Sequence, residues 1–381
     1  MNNLYTALSL SLIANNKRFA ISSSNSNITI PSFKHQILQQ QCKFKPSQIA
    51  IIDLLQIHST IDLINQMVYS ENECDEYDDD NENDETEVYL KNIIIWQNVQ
   101  HLSINQHKSL YKLLLQLDEY EMNIAKFCTH RLSTSVAITI ENQEFKIIKP
   151  EVFTIICFLD YNLYQSHKLY IYLKEKIWLS INYHDEGANQ ISLSPLSEPY
   201  LDYIVRLRKQ MSEIYVAPDI KRYIYSLIVH IRCHRLASIS PKSVRVPTMT
   251  FDYITDFCKA LVLFKDIPER FVTPDYVKIA TRIIGYWLVD WEYNRMFSDT
   301  IKKPRHIDEE EEEGNGDEDS RQLDYLKRLQ ITILNGDWFG CDYFFVNEYL
   351  KHSKALFDNE SPTGYSNKII EDALTTVRPP L

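Results

Sequence analysis

The sequence predicts an α/β fold, a parallel β-sheet sandwiched by helices, followed by an all-α domain and a helical C-terminal extension. Three observations carry this. Short apolar runs alternate with helix-period segments through residues 1–185, the pattern of strands buried on both faces. After Gly187, which is the first glycine of the chain, long helices opened by Pro-Asp pairs take over. Two blocks, 71–87 and 308–319, carry 11 and 9 carboxylates, no Lys or Arg and almost no apolar residues, so each reads as a disordered segment outside any core.

In chain order, residues 4–14 read as an amphipathic helix and 18–21 as a short strand ending in the polar run 22–27. A helix to Gln41 follows. The run 48–57 is a strongly apolar strand, and 59–69 a helix capped by Ser59 or Thr60. Beyond the first acidic block, 92–96 is a continuous apolar strand. A helix over 105–120 then aligns Leu110, Leu113, Leu114 and Leu117 on one face. Residues 152–158 form another buried strand, 170–176 a short helix and 177–183 a strand.

In the second half, 217–236 is a long helix with Ile220, Ile224, Leu227, Ile228 and Ile231 at helical spacing, and 251–264 a second. Thr273-Pro274-Asp275 opens a third, with Thr273 at the N-cap and Pro274 at the first helical position. Two or three short helices are expected in 323–381, before the Pro379-Pro380 stop.

Composition bounds the functional classes. The chain has 381 residues, 44% of them hydrophobic, and a net charge of -12, enough apolar material for one large core or two smaller ones. Without the two acidic blocks, 32 acidic residues face 40 basic ones, so the remaining body is mildly basic. Seven cysteines form no CxxC pair and sit mostly in apolar runs, which suits a reducing compartment, nuclear or cytoplasmic. The apolar stretch near the start lacks a preceding positive residue and is broken by serines, unlike a signal peptide. No run reaches the ~18 apolar residues of a membrane span.

A phosphate-cradling loop needs glycine, because its backbone N–H groups approach the ligand at positive φ. Neither GxxxxGK[ST] nor GxGxxG exists before Gly187, and no GxSxG elbow exists in the chain. Asp53, ending an apolar run, is a candidate metal carboxylate, but a strand end is an ordinary place for a polar residue and the structural reading is favoured. His230, Cys233 and His234 share a helix without a second ligand pair, so no metal site is expected. Lys221, Arg222, Arg232 and Arg235, with Arg206, Arg208 and Lys209 nearby, are candidate contacts for nucleic acid or a partner. The competing reading is a solvated helix surface.

Two segments together resemble the magnesium-chelatase and MoxR-like branch of the AAA+ ATPases. The run Lys91-Asn-Ile-Ile-Ile-Trp-Gln97-Asn98 has the shape of the Walker B strand. The helix from Tyr215-Val-Ala-Pro-Asp219 to Arg232, joined to Phe271-Val-Thr-Pro-Asp275, is similar to the family's helical lid. The resemblance implies an AAA+-like core at 1–185, a connector at 186–214, a lid at 215–296, an acidic linker at 297–322 and an extension at 323–381.

It also implies which chemistry is missing. The Asp-Glu pair that holds Mg²⁺ and orients water is here Gln97-Asn98, amides without charge or basicity. The phosphate-loop lysine falls near Ile28, leaving only Thr29 in register, so Ser22, Asn27, Ile28 and Thr29 mark a vestigial loop. Asp160 falls near the sensor position, Lys176 near the arginine finger and Met249 near the lid arginine.

The helix from Ile220 to Leu236, and the ending Val377-Arg-Pro-Pro-Leu381, are similar more specifically to the fungal maintenance of telomere capping protein 2 family. The expectation is a non-catalytic scaffold or adaptor linked to chromosome ends. It would use no cofactor and no catalytic residue, bind protein partners away from membranes, and act as a monomer or hetero-complex. A divergent ATPase completed by a partner subunit, and a nucleic-acid binder using the basic helix, are the alternatives.

Overall fold

The computed structural model describes residues 3–70, 88–127, 135–140, 143–160, 169–183, 199–234, 246–268, 270–289 and 367–380. Both acidic blocks and most of the 323–381 extension lie outside these. The chain forms two compact units, the first from Met1–Tyr161, His167–Val216 and Thr255–Val272, the second built on Ala217–Ile254 and Thr273–Leu381.

The strands are β1 (Phe19–Ser23), β2 (Ile49–Asp53), β3 (Val68–Ser70), β4 (Val88–Leu90), β5 (Ile93–Gln97), β6 (Ser135–Ile140), β7 (Gln143–Ile148), β8 (Thr154–Asp160) and β9 (Leu179–Tyr183). The helices are α1 (Asn3–Ile13), α2 (Ser26–Ser32), α3 (Thr60–Met67), α4 (Ile104–Phe127), α5 (Ile171–Glu175), α6 (Tyr200–Gln210), α7 (Pro218–Arg232), α8 (Thr250–Phe264), α9 (Pro274–Leu288) and α10 (Lys368–Thr376).

The core of the first unit is a five-stranded sheet in the order β2-β5-β8-β1-β9, with every pairing parallel. All five residues of β1 are buried, as a strand covered on both faces requires. Trp96, Trp178, Phe19 and Phe158 are among the largest fully buried side chains, and each contributes about 1.5–3 kcal/mol by leaving water. α3 starts as expected at Ser59, whose hydroxyl accepts from Asp62 N–H while Asp62 returns a bond to Ser59 N–H, both 3.1 Å.

Several expectations change. The helix at the start is not amphipathic: Ser9 and Ser11 are as buried as Leu8 and Leu12. Their hydroxyls are satisfied inside, Ser9 by Tyr200 OH at 3.0 Å and Ser11 by the Lys17 carbonyl, so residues that look like a polar face cost nothing to bury. The helix expected to run to Gln41 is interrupted. α2 ends at Ser32 and a wider helical stretch, Phe33–Gln41, follows, in which Cys42 N–H reaches back five residues to Ile37 O at 2.9 Å. Pro31, which has no N–H for the preceding turn, sits just before the switch.

A second sheet, β3-β4-β7-β6, is not anticipated by the element reading. Two antiparallel pairs, β3–β4 and β6–β7, join through the parallel pair β4–β7. The first acidic block connects the paired residues Ser70 and Val88. The span read as connector contains α6.

The span 215–296 is not one body. Within α8 the residues from Thr255 onward count with the first unit, because Phe257 packs on Trp178 (5.5 Å), Phe264 faces Tyr5 (6.3 Å) and Asp256 pairs with Lys17 (3.0 Å). The second unit packs α7, α9 and α10. Ile224, Leu227, Ile284, Ile369 and Ile370 are fully buried within it. Thr273 stands at the N-cap of α9 without a capping side-chain bond.

Candidate functional site

In an open parallel sheet, ligands bind beyond the carboxyl ends of the strands, where neighbouring connections run opposite ways. Here that place is the end of β1, which lies between β8 and β9 while its chain continues to the far strand β2. In register, Ser23 stands beside Asp160 and Tyr183, and Asp53 beside Gln97.

The expected loop 22–27 is shorter than the sequence suggests. Ser22 and Ser23 belong to β1, and only Ser24 and Asn25 separate it from α2. The turn closes on itself: Asn25 N–H donates to Ser23 Oγ (3.2 Å), and Ile28 and Thr29 N–H both donate to Asn25 O (3.2 and 3.0 Å). Thr29, fully buried, puts its hydroxyl 2.6 Å from Ser23 Oγ and 2.9 Å from Asn25 O. Ser22 is buried beside Ser180 (3.4 Å). Asn27 and Ile28 are exposed. A phosphate cradle requires outward-facing amides and, for Mg²⁺, an outward hydroxyl; here the Asn25, Ile28 and Thr29 amides and the Thr29 hydroxyl are taken up within the turn.

Two strands away, beyond β8, Gln97 ends β5 and Asn98 follows in the left-handed region at φ 61°, a conformation asparagine tolerates. Asn98 Nδ2 donates to Asp53 Oδ1 at 2.7 Å, and the same oxygen accepts from Leu55 N–H at 3.1 Å. Asp53 thus fastens the ends of β2 and β5 together. Asp160, exposed at the end of β8, gathers Gln100 Nε2 (2.8 Å), His101 Nε2 (3.0 Å) and Ser26 Oγ (3.4 Å). Sequence reasoning placed Asp160 but not its partners, which come from segments far away in the chain.

Lys176 is not at this edge. Its Nζ binds Asp118 Oδ2 at 2.7 Å, and Arg18 takes the other oxygen of the same carboxylate. Arg18 and Lys176 lie just before β1 and β9, at the opposite end of the strands from Ser23. Burial by itself would raise the Asp118 pKa; Arg18, then Lys176, more than reverse this and hold it below the ordinary carboxylate value. Burial pushes the thiols of Cys42 and Cys157 up to about 12, leaving both unreactive.

A cavity of about 260 Å³ opens between the starts of α3 and α4, lined by Leu54, Ile57, His58, Leu63, Leu102 and Leu110 among others. Three of its polar neighbours are engaged: Ser59 caps α3, Gln106 Oε1 accepts from Ser103, and the Ser109 hydroxyl donates to Asn105 O.

The basic candidates separate. Arg208 is structural, its guanidinium donating to Leu12 O, Glu151 O and Asn16 Oδ1 at 2.6–3.1 Å and closing the carbonyl end of α1. Arg232 donates Nε and Nη2 to Val246 O at 3.1 and 2.9 Å. Lys221 and Arg222 are exposed on the first turns of α7, Arg222 beside Asp219 at 3.1 Å. Arg235 lies outside the described residues. His234 meets Asp372 of α10 at 3.3 Å, and no group of three or more His, Cys, Asp or Glu among the described residues could hold a metal. Nor is any described helix long and apolar enough to cross a membrane.

Comparison with known proteins agrees with the architecture. No family model matches the chain. Over 139 residues it is 26% identical to maintenance of telomere capping protein 2 of Lachancea thermotolerans, a stretch covering 35% of this chain and 41% of that relative. Among solved structures it is similar to a protein of Cytophaga hutchinsonii described provisionally as an ATPase, with a TM-score of 0.50 and 11% identity over 75% of this chain and 82% of the other. At that identity the likeness is one of fold.

Proposed function

We propose that this chain is a scaffold or adaptor that keeps the architecture of an ATPase and does not turn over nucleotide. The observation that carries the reading is the two-residue turn between β1 and α2, with Thr29 held against Ser23 and Asn25. A γ-phosphate and its Mg²⁺ need amides, a cation and a hydroxyl turned outward, together with a carboxylate for the metal. Gln97 and Asn98 supply no charge there, and Asp53 is engaged by Asn98 and Leu55.

The similarity to a telomere capping protein over part of its length supports chromosome-end maintenance as the process. Protein partners are the natural ligands of such a scaffold, with nucleus or cytoplasm as its place of action. Ring assembly in ATPases serves catalysis through a neighbour's arginine, so a monomer or hetero-complex fits a chain without that chemistry.

Isothermal titration of the full chain with Mg-ATP tests the reading, and no saturable heat is expected up to millimolar nucleotide. A submillimolar dissociation constant, with turnover abolished by Asp53→Ala, would instead establish a divergent ATPase. Affinity purification from the native host should return one recurring set of proteins, unchanged by Asp53→Ala.

A further inference from the structure

The two faces of α7 differ sharply in character. Its inner face is apolar and buried through Ile220, Tyr223, Ile224, Leu227, Ile228 and Ile231. On the outer face, Lys221, Tyr225, Val229 and Arg232 recur at spacings of four, four and three, so they form one stripe. Tyr225 and Val229 are each 55% exposed, unusual for large apolar side chains on an already amphipathic helix. Tyr225 is backed by Phe251: the rings stack at 4.3 Å between centroids and 13° between planes. A flat aromatic surface is thereby held rigid at the middle of the stripe, with a cation toward each end, about 16 Å apart along the axis. The Arg232 guanidinium is oriented by its two bonds to Val246 O.

We propose that this stripe is a short binding platform for single-stranded nucleic acid, one base stacking on Tyr225 while flanking phosphates meet Lys221 and Arg232. A rigid ring between cations is the chemistry that single strands recognise, since every base has a π-face and every linkage a charge. Duplex offers no unstacked base to the ring. The charge balance is modest: Asp219 engages Arg222, and Asp252 is exposed next to Phe251. Binding is therefore salt-sensitive and rests on the stacked base for its preference. The inference uses only the second unit and is independent of the fate of the nucleotide crevice.

The test is fluorescence anisotropy of the full chain with a labelled oligodeoxynucleotide of about 12 nucleotides, within the footprint of single-strand binders, against the same sequence as duplex. Saturable binding at near-physiological salt that prefers the single strand is expected. Tyr225→Ala should weaken it about fivefold or more, the equivalent of one lost base stack, and Tyr225→Phe should retain it. Lys221→Gln, at an exposed site that cannot disturb the core, should weaken binding and flatten the salt dependence by about one ion. Absence of binding, equal affinity for duplex, or binding indifferent to both Tyr225→Ala and Lys221→Gln would overturn the proposal. If Tyr225→Ala lowers the melting temperature, the Lys221→Gln and Tyr225→Phe pair decides alone.

Discussion

Asn98 ties the ends of β2 and β5 together through a single side chain. Its backbone is left-handed, and its amide bridges to a carboxylate that already accepts a backbone N–H. Asn98→Glu would place a second negative charge against Asp53 on a backbone glutamate disfavours, costing about 1–3 kcal/mol. A lowered urea midpoint without any gain in Mg-ATP affinity is the expected outcome, also when combined with Gln97→Asp. In the second unit, Glu371 is a carboxylate held on both oxygens. It accepts Arg282 Nε and Nη2 at 2.7 and 2.8 Å and Tyr286 OH at 2.9 Å. Burial raises its pKa, but the bonds from Arg282 and Tyr286 outweigh that and set it below the ordinary value, as Arg18 and Lys176 do for Asp118. A carboxylate depressed in the folded state contributes its full stability above its unfolded pKa of about 4 and loses it as pH falls through the folded value. The melting temperature should therefore drop below about pH 4, and Glu371→Gln should flatten that limb while costing about 1–3 kcal/mol at neutral pH.

At the scale of elements, α9 and α10 meet at a glycine for a reason of space. A Cβ at Gly285 would lie 2.6 Å from Ile370 Cδ1 and 3.1 Å from its Cγ1, and Ile370 is fully buried. Alanine is the better helix former by about 1 kcal/mol, yet Gly285→Ala should destabilise the second unit by about 1–3 kcal/mol through overpacking. Removing the obstructing methyl with Ile370→Val should recover part of the loss. A double-mutant cycle by urea denaturation checks this, and additive costs would show that the contact is not the cause. Element types in the parallel sheet were legible because β1, β5 and β8 are nearly continuous apolar runs. The second sheet was not, since short polar-mixed strands such as Gln143–Ile148 carry no period that separates them from loop. The burial of α1 on every side was equally invisible, because Ser9 and Ser11 find their partners in Tyr200 and Lys17.

At the scale of the whole molecule, Val289 and Asn367, distant in the chain, meet directly in the second unit. Asn367 Nδ2 donates to Val289 O at 2.7 Å, and Asn367 Oδ1 accepts from Ile370 N–H at 3.4 Å to open α10. Asn367→Ala removes both bonds and should cost the second unit about 1–3 kcal/mol, read by urea denaturation. Unchanged stability, with unchanged hydrogen exchange at Ile370 and Ala373, would contradict this. The candidate site is spread in the same way: Ser23, Gln97 and Asp160 end three different strands, and the parallel register alone brings them to one edge.

By itself the sequence determined which residue types stand at the ends of β1 and β5. Absent glycines and the amides Gln97 and Asn98 are properties of residue type, and no folding restores a charge or a backbone freedom that is missing. It also determined the parallel sheet and the helical second half, because apolar period follows directly from which faces are buried. Only the tertiary structure decided where the remaining groups went. Lys176 and Arg208 looked available and are held by Asp118 and by backbone carbonyls. Tyr225 and Phe251 looked like separate helix residues and form one stack. Such pairings join positions far apart in the chain, and a hydrogen bond or ring contact at that separation leaves no local pattern for the sequence to display.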